Sequence, residues 1–351
     1  MKEFRVIRFI SIGLLSLLFT TMSWADDDDN DLAIDEVEGP LSVMVLGSGG
    51  PIATASGRAS AGYLVFVEGE PRILMDVGGG TYQRVAKSGV NLRSLDTILL
   101  SHLHIDHTGD LSAVVKTIYF HNNLAGTARR SPIHIYGPAA NGVPFPGTSV
   151  AQYPATSTYA HDHYAMPHGV ERYLNIFATA ISGGASEFAY QPHDLNSIVA
   201  NAVVEEVVRT DDGVLIESIA VDHGPVPAVA FRISYRGHSI VYSGDTKSTG
   251  PNMQTIARKA DLLIYDTAIT DTLPPNPVFH ALHTSPTRIG EVAAAAKVKK
   301  LVLSHITPVT EPRLDLVKQV IRQNYSSEIK AAEDLKVFNL GDDDYRRDRR
   351  K

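Results

Sequence analysis

The stretch SHLHIDHTGDL, residues 101–111, constrains this chain more than any other segment. It places His102, His104, Asp106 and His107 within six positions, directly after the apolar run DTILL. Packing alone does not explain a buried strand that ends in three imidazoles and a carboxylate, because each side chain would need its own hydrogen-bond partner. The pattern His-x-His-x-Asp-His therefore predicts a metal site. Since four residues so near in sequence cannot enclose a metal ion alone, further ligands must come from elsewhere in the chain.

The first 25 residues have the composition of a targeting segment. MKEFRVIR carries three basic side chains, FISIGLLSLLF is apolar, and TTMSWA ends in small residues. This order is typical of a secretory signal peptide, with cleavage expected after Ala25. The alternative is a membrane anchor, which needs about 20 apolar residues. Because this run is shorter and DDDDND follows it at once, we predict a periplasmic or secreted protein with no membrane attachment after cleavage.

The remaining chain divides by composition. Residues 26–40 are an acidic leader, 41–340 one domain, and 341–351 a charged tail. Within 41–340, short apolar runs bounded by Gly and polar turns alternate with helical segments, which predicts an α/β fold. Two sheets between helices, an αββα sandwich, are the simplest arrangement. Residues 139–200 are rich in Gly, Pro, Ser, Thr and Tyr, so apart from one helix near 168–181 we expect a loop-rich lid region there.

Composition also limits the chemistry. The chain has no cysteine, so a metal site must use nitrogen and oxygen ligands. Its formal net charge is −7, and it falls to −9 without residues 1–25. Nucleic-acid binding uses basic surface to displace counterions, so we expect nucleic acid to be an unlikely partner. No Gly-x-Ser-x-Gly is present to indicate a serine hydrolase, and LGSGGP lacks the lysine of a P-loop.

Three later apolar runs also end in a side chain that can bind metal. His223 follows VLIESIAVD, Asp245 follows HSIVYSG, and His305 follows KKLVLS. Strand ends converge at one edge of a layered α/β fold, which is where ligands bind. Seven ligands gathered there can hold two divalent ions that share a carboxylate. A single histidine like His223, or an aspartate in a turn like Asp245, would not support this interpretation without the clustered motif.

Together with LGSGGP, SGDT, LSHI and VDHGPVPAVAFRI, the motif SHLHIDH resembles the metallo-β-lactamase superfamily of dinuclear hydrolases. The similarity covers about residues 41–340. It is greatest to the branch that holds tRNase Z, exported arylsulfatases and class II cyclic-nucleotide phosphodiesterases. The resemblance implies an αββα sandwich of two mixed sheets flanked by helices. It also implies one metal on His102, His104 and His223, a second on Asp106, His107 and His305, and Asp245 bridging both.

The implied cofactors are two divalent metal ions. Zinc is the expected metal, and manganese or iron is also compatible with imidazole and carboxylate ligands. A hydroxide bridging the metals would be the nucleophile, and Asp106 and His283 would be the catalytic side chains. His283, in ALHTSPTRIG, matches a histidine in a similar His-Ser/Thr context that serves as proton donor in tRNase Z-like proteins. Its alternative role is to precede and cap a helix.

The function expected from these features is an exported hydrolase of small anionic esters, either aryl sulfate esters or phosphodiesters. Export, the acidic composition and the mere 21 residues between His223 and Asp245 argue against a tRNase Z-like endonuclease. A lactonase or β-lactamase of the same fold, and a metal-binding protein without turnover, stay as alternatives, and a homodimer is left open. His161, His163 and His168 are expected on a surface or substrate-facing loop, and the sequence assigns His193 no role.

Overall fold

A computed structural model describes residues 32–144, 147–150, 153–165, 169–271 and 277–341. The predicted signal peptide lies outside these ranges and stays a prediction. Residues 26–31 of the leader, His168, and residues 342–351 of the tail also lie outside them.

Fourteen strands are found in the described ranges. They are β1 Leu41–Gly47, β2 Gly62–Val67, β3 Glu70–Val77, β4 Thr97–Leu99, β5 Ile133–Pro138, β6 Tyr190–Leu195, β7 Glu205–Arg209, β8 Leu215–Ala220, β9 Val229–Tyr235, β10 His238–Tyr242, β11 Leu262–Asp266, β12 Lys300–Ser304, β13 Glu328–Ala331 and β14 Val337–Leu340. One sheet has the order β14-β1-β2-β3-β4-β5-β6 and the other the order β13-β12-β11-β10-β9-β8-β7. Each sheet is mixed, because β3 to β6 and β10 to β13 run parallel while the remaining pairs are antiparallel.

The helices of the described chain flank these sheets. They are α1 Thr81–Ser88, α2 Ile105–Thr108, α3 Leu111–Leu124, α4 Thr156–Tyr164, α5 Glu171–Ser182, α6 Asn252–Ile256, α7 Pro277–Leu282, α8 Pro286–Ala296 and α9 Leu314–Ile321. Two short 3₁₀ turns lie at Ala33–Glu36 and Glu311–Arg313. None of the helices in the described part of the chain has the length and hydropathy that crossing a bilayer requires.

Side-chain alternation along the strands creates three apolar layers. In β1, Val43 and Val45 face the layer between the two sheets, whereas Met44 and Leu46 join the layer beneath α1 and α3. Successive side chains of a strand point to opposite faces, so a continuous apolar run buries both faces. A third layer packs the second sheet against α6, α8 and α9. The αββα sandwich predicted from the sequence is thereby confirmed.

Residues 139–200 contain more regular structure than their composition indicates. In addition to α5, which falls where a helix was expected, the segment forms α4 and the edge strand β6. Within the described ranges the strand β6 pairs only with β5, and it carries Pro192, which an edge strand tolerates. The helix α4 is mostly polar, and only two of its three buried side chains, Ala160 and Tyr164, are apolar. Neither element therefore shows the apolar periodicity on which sequence patterns depend.

Candidate metal centre

The histidine-rich motif joins β4 to α2. The strand ends at Leu99, and His104 takes an extended conformation at the N-terminal end of α2. This bend places His102, Asp106 and His107 close together just beyond the end of β4. His102 and His107 are fully buried, although both are polar. Their burial indicates that the structure supplies partners for them.

The structure brings all seven predicted ligands together. Their ligand atoms form two groups in which all atoms lie within 4.8 Å of one another: His102, His104, His223 and Asp245 in one, and Asp106, His107, Asp245 and His305 in the other. Asp245, which follows β10, belongs to both groups. Its carboxylate lies 3.4 Å from His107 Nε2, 3.2 Å from His305 Nε2 and 3.9 Å from His223 Nε2.

A buried aspartate that the sequence analysis missed orients the first motif. Asp76, in β3, accepts hydrogen bonds from the Ser101 backbone N–H and hydroxyl, each at 2.7 Å. It also accepts one from His107 Nδ1 at 2.6 Å and one from the Tyr242 hydroxyl at 2.7 Å. With Nδ1 donating to Asp76, the Nε2 atom of His107 is left to face the cluster, as is usual for a metal-binding histidine.

A second missed aspartate holds His283. Asp266 ends β11 and accepts a 2.7 Å hydrogen bond from His283 Nδ1. Its other oxygen lies 3.4 Å from His305 Nδ1. Asp245, Asp266, His283 and His305 form a third compact group, so His283 adjoins the cluster. Asp76 in RILMDVG and Asp266 in LLIYD both stand where an apolar run turns polar, which is the signal that identified Asp245.

Two glycines let loops approach the cluster. A Cβ atom added to Gly50, in the LGSGGP loop, would lie 2.7 Å from Cε1 of His305. A Cβ atom added to Gly78 would lie 2.0 Å from the backbone oxygen of Asp106. Both distances are far below van der Waals contact, so these backbones can pack here only without a side chain.

The other histidines singled out in the sequence take different positions. His161 is exposed and lies 3.3 Å from Asp162. His163 Nε2 is 2.8 Å from the Ser112 hydroxyl, an interaction that joins α4 to α3. His193, on β6, lies 3.0 Å from His134 Nδ1. Among the described residues, none of these three side chains belongs to the metal-type clusters.

Burial and neighbouring carboxylates set the charges in the cluster. Burial lowers the pKa of His223 to about 4, so its imidazole is neutral. Burial also opposes the charged form of His107, but the Asp245 and Asp106 carboxylates outweigh it and raise the pKa of His107 well above its usual range. Although burial alone would raise the pKa of Asp245, the His305 and His107 rings hold it well below its usual range. The carboxylates of the cluster therefore stay ionised at neutral pH.

Comparison with known proteins shows where this arrangement occurs. The sequence pattern of the Beta-lactamase superfamily domain matches residues 72–306, about two thirds of the chain. The chain belongs to the metallo-β-lactamase superfamily. The family resemblance inferred from the motifs is confirmed. As a member, the protein is a metal-dependent hydrolase whose fold is one that holds divalent metal ions, typically zinc.

Relatives within the superfamily point to one branch. A Ribonuclease Z from Mycobacterium avium (strain 104) is 31% identical over 278 residues, which cover 76% of this chain and 86% of the relative. A Ribonuclease Z from Mycobacterium bovis (strain BCG / Pasteur 1173P2) is 28% identical and is covered to 96%. Human tRNase Z, short form, shares the fold with a TM-score of 0.58 at 21% identity, over 85% of this chain and 98% of the human chain. The tRNase Z branch suggested by the motifs is therefore confirmed.

These relatives correct two expectations from the sequence. The preferred function, hydrolysis of small anionic esters that are either aryl sulfate esters or phosphodiesters, is wrong in its substrate, because the relatives are named as ribonucleases. The expectation that nucleic acid is an unlikely partner is contradicted by the same names. That expectation used the net charge of −7, a sum over the whole chain. Contacts to phosphates depend on the few cations at the binding site, which such a sum does not reveal.

The buried polar atoms of the metallo-β-lactamase cluster fit divalent metal ions. His107 Nε2, His223 Nε2 and Asp245 Oδ1 are buried and have no hydrogen-bond partner among the described residues. Leaving such atoms unpaired costs free energy, whereas coordination would satisfy all three. His223 is neutral and Asp245 is ionised, which are the protonation states that bind metal, whereas binding at His107 would displace the proton on its Nε2 atom. The imidazole and carboxylate donors suit zinc without excluding manganese or iron.

Proposed function

We propose that the protein is a metal-dependent phosphodiesterase that cleaves RNA, as the name Ribonuclease Z states for its relatives. One observation carries this proposal: two four-residue ligand groups share Asp245 in a chain that is 31% identical to a Ribonuclease Z. A pair of metal ions in adjacent sites is a common arrangement in enzymes that hydrolyse phosphodiesters. The arrangement therefore suits in-line attack of water on an RNA phosphate.

In this proposal the seven side chains take the ligand roles implied by the sequence. His102, His104 and His223 would hold one ion and Asp106, His107 and His305 the other, with Asp245 available to both groups. When bound, the ions supply Lewis acidity for the phosphate oxygens and acidify water. Two of the imidazoles are oriented by their second nitrogen, that of His107 by Asp76 at 2.6 Å and that of His223 by a backbone oxygen. His223 Nδ1 donates to the Leu282 backbone oxygen at 2.9 Å.

His283 is the proton donor in this proposal. Its Nδ1 atom donates to Asp266, so its Nε2 atom can deliver a proton to the leaving oxygen. Although burial disfavours the imidazolium, the Asp266 carboxylate outweighs that effect and raises the pKa of His283. The contact therefore favours the protonated ring and fixes its orientation. A positioned acid of this kind typically contributes about 10²- to 10⁴-fold to the rate.

A basic recess beside His283 supports an anionic polymer as substrate. It has a volume of about 460 Å³, and Lys247 and Arg288 line it together with His283. Lys247 has no carboxylate within 4.0 Å in the part of the chain that the structure describes. Arg288 is held by Glu291 at 2.9 Å and by the Ser248 backbone oxygen at 3.0 Å. Two cations next to the proton donor can bind a phosphate adjacent to the cleaved one.

Cleavage of an end-labelled precursor tRNA with a 3′ extension, in the presence of Zn²⁺ or Mn²⁺, tests the proposal. We expect His283→Ala to lower kcat at least about 100-fold while the metal content stays that of the wild type. The matched control is His161→Ala, because this exposed histidine lies outside the cluster; it should retain full activity. Absence of RNA cleavage with every metal, or equal cleavage by His283→Ala and the wild type, would contradict the proposal.

A further inference from the structure

A second recess lies beside His104, a member of the first ligand group. Its volume is about 200 Å³, and it is lined by two tyrosines, three prolines, a leucine and a valine in addition to His104. Tyr153 and Tyr159 contribute the aromatic rings. The recess is smaller than the roughly 300–1,000 Å³ typical of pockets for whole drug-sized ligands. It can therefore hold one planar ring system rather than an extended chain.

The wall that carries Tyr159 is fixed in place. Tyr159 lies on α4 and stacks on His163, with ring centroids 5.7 Å apart and the planes within 5°. His163 in turn lies 2.8 Å from the Ser112 hydroxyl on α3. At the start of α4, the Ser157 backbone N–H donates to Asp194 at 2.7 Å. The aromatic face is thus preorganised, which reduces the entropy cost of binding a ring.

Another wall of the recess is formed by residues that come just after His223 in the chain. Val226 and Pro227 line the recess, and the Val226 backbone N–H donates to the His223 backbone oxygen at 3.2 Å. The amide of Asn141 donates to the Pro225 backbone oxygen at 3.1 Å, which joins this turn to the segment after β5. A ring in the recess would therefore contact residues only three or four positions from His223.

The two recesses differ in chemistry and share no lining residue. His104 lines the apolar recess and His283 the basic one. The ring of His223 contacts both histidines, with centroids 5.3 Å from His104 and 5.5 Å from His283. The described lining of the apolar recess has no Lys or Arg, so it does not suit a phosphate. The cluster therefore has an apolar aromatic side and a cationic side.

We propose that the apolar recess is a base pocket, which holds one nucleobase next to the cleaved phosphodiester while the basic recess takes a neighbouring phosphate of the strand. This inference rests on the proposed RNA substrate and adds which recess takes a base and which a phosphate. Bases stack on aromatic side chains largely independently of sequence. The stacking face would come from Tyr159, with Tyr153 and Pro227 enclosing the ring.

The test compares binding of two probes to the zinc-loaded protein by isothermal titration calorimetry. The probes are cytidine 5′-monophosphate and ribose 5-phosphate, which differ only in the base. We expect the wild type to bind the nucleotide about 5- to 100-fold more tightly than the sugar phosphate. Tyr159→Ala should bring this ratio close to one, whereas Tyr159→Phe keeps it. Tyr153→Ala, from another part of the wall, should also reduce the ratio.

Tyr173→Ala is the matched control, because Tyr173 lies on α5 and is 77% exposed. Its ratio should equal that of the wild type. Thermal unfolding shows whether each variant is folded. If Tyr159→Ala does not fold, the binding ratio of Tyr153→Ala tests the base pocket instead. A wild-type ratio near one, or an unchanged ratio in both alanine variants, would overturn the base pocket even if RNA is cleaved. A base-dependent ratio without RNA cleavage would instead leave the pocket standing and refute the proposed ribonuclease function.

Discussion

Replacing Asp76 by asparagine tests how the first motif is held. The Asp76 carboxylate is completely buried and accepts four hydrogen bonds, two of them from Ser101 and one each from His107 and Tyr242. Asparagine keeps one acceptor oxygen and turns the other into an NH₂ donor. If the remaining oxygen serves the side chains of Ser101, His107 and Tyr242, the NH₂ group faces the Ser101 backbone N–H.

The expected cost follows from these contacts. One buried N–H without a partner costs about 1–3 kcal/mol, and three bonds lose about 1 kcal/mol each when their acceptor is no longer charged. The sum is about 4–6 kcal/mol in the free energy of unfolding, a large part of the roughly 5–15 kcal/mol of a typical domain. Because His107 also loses its orienting partner, we expect zinc affinity to fall about 10- to 100-fold.

Urea unfolding of the metal-free protein measures the first effect, and competition with a zinc-binding dye measures the second. The control is Asp212→Asn, which removes a surface carboxylate that is 47% exposed and pairs with Arg72 at 2.9 Å. It should cost less than about 1 kcal/mol and leave zinc affinity unchanged. If the free energy of unfolding of Asp76→Asn lay within about 1 kcal/mol of that of the wild type, and the variant bound zinc equally well, Asp76 would not be the residue that orients His107.

Three further perturbations test other parts of the site. Asp266→Asn should lower kcat for RNA about 10-fold or more with little change in KM, because His283 loses the carboxylate that stabilises its protonated ring; a change in KM alone would contradict that role. Lys247→Ala should raise KM and weaken the salt dependence of binding, and unchanged values would exclude Lys247 from phosphate binding. Gly50→Ala should displace the His305 ring, which a new Cβ would approach to 2.7 Å, so metal analysis should show less zinc per chain; a full complement would show that the loop can move.

The residues predicted as metal ligands can be recognised in the sequence because each stands at or just after the point where an apolar run turns polar. Apolar strands precede His102, Asp245 and His305. The parallel strands β10 to β12 bring Asp245 and His305 to one edge of their sheet, and the packing of the two sheets brings the end of β4, with His102, to the same place. The αββα fold can also be predicted from the sequence, because short apolar runs and helical segments recur throughout residues 41–340.

The roles of Asp76 and Asp266, which orient His107 and His283, cannot be predicted in the same way. Asp76 and His107 are 31 positions apart, and Asp266 and His283 are 17 apart. Which carboxylate faces which imidazole depends on strand register and on the path of the loops, and neither is encoded in a local pattern. The walls of the base pocket were missed because α4 is held in place by polar contacts such as that between Ser157 and Asp194, so it lacks a clear apolar stripe.

The function was mistaken for a related reason. Whole-chain acidity and the predicted signal peptide both argue against an RNA substrate. The basic recess beside His283 depends on Lys247 and Arg288, which are 41 positions apart in sequence and meet only in the fold. Localisation after the predicted cleavage at Ala25 stays a prediction, and N-terminal sequencing of the mature protein would test it.

Stepwise metal titration tests the central claim most directly. The protein is stripped of metal with a chelator, Zn²⁺ or Mn²⁺ is added back in known equivalents, and cleavage of the precursor tRNA is followed at each step. The two ligand groups that share Asp245 predict that activity reaches its plateau at two equivalents per chain. Full activity in the metal-free protein, or a plateau at one equivalent, would contradict a dinuclear RNA-cleaving centre.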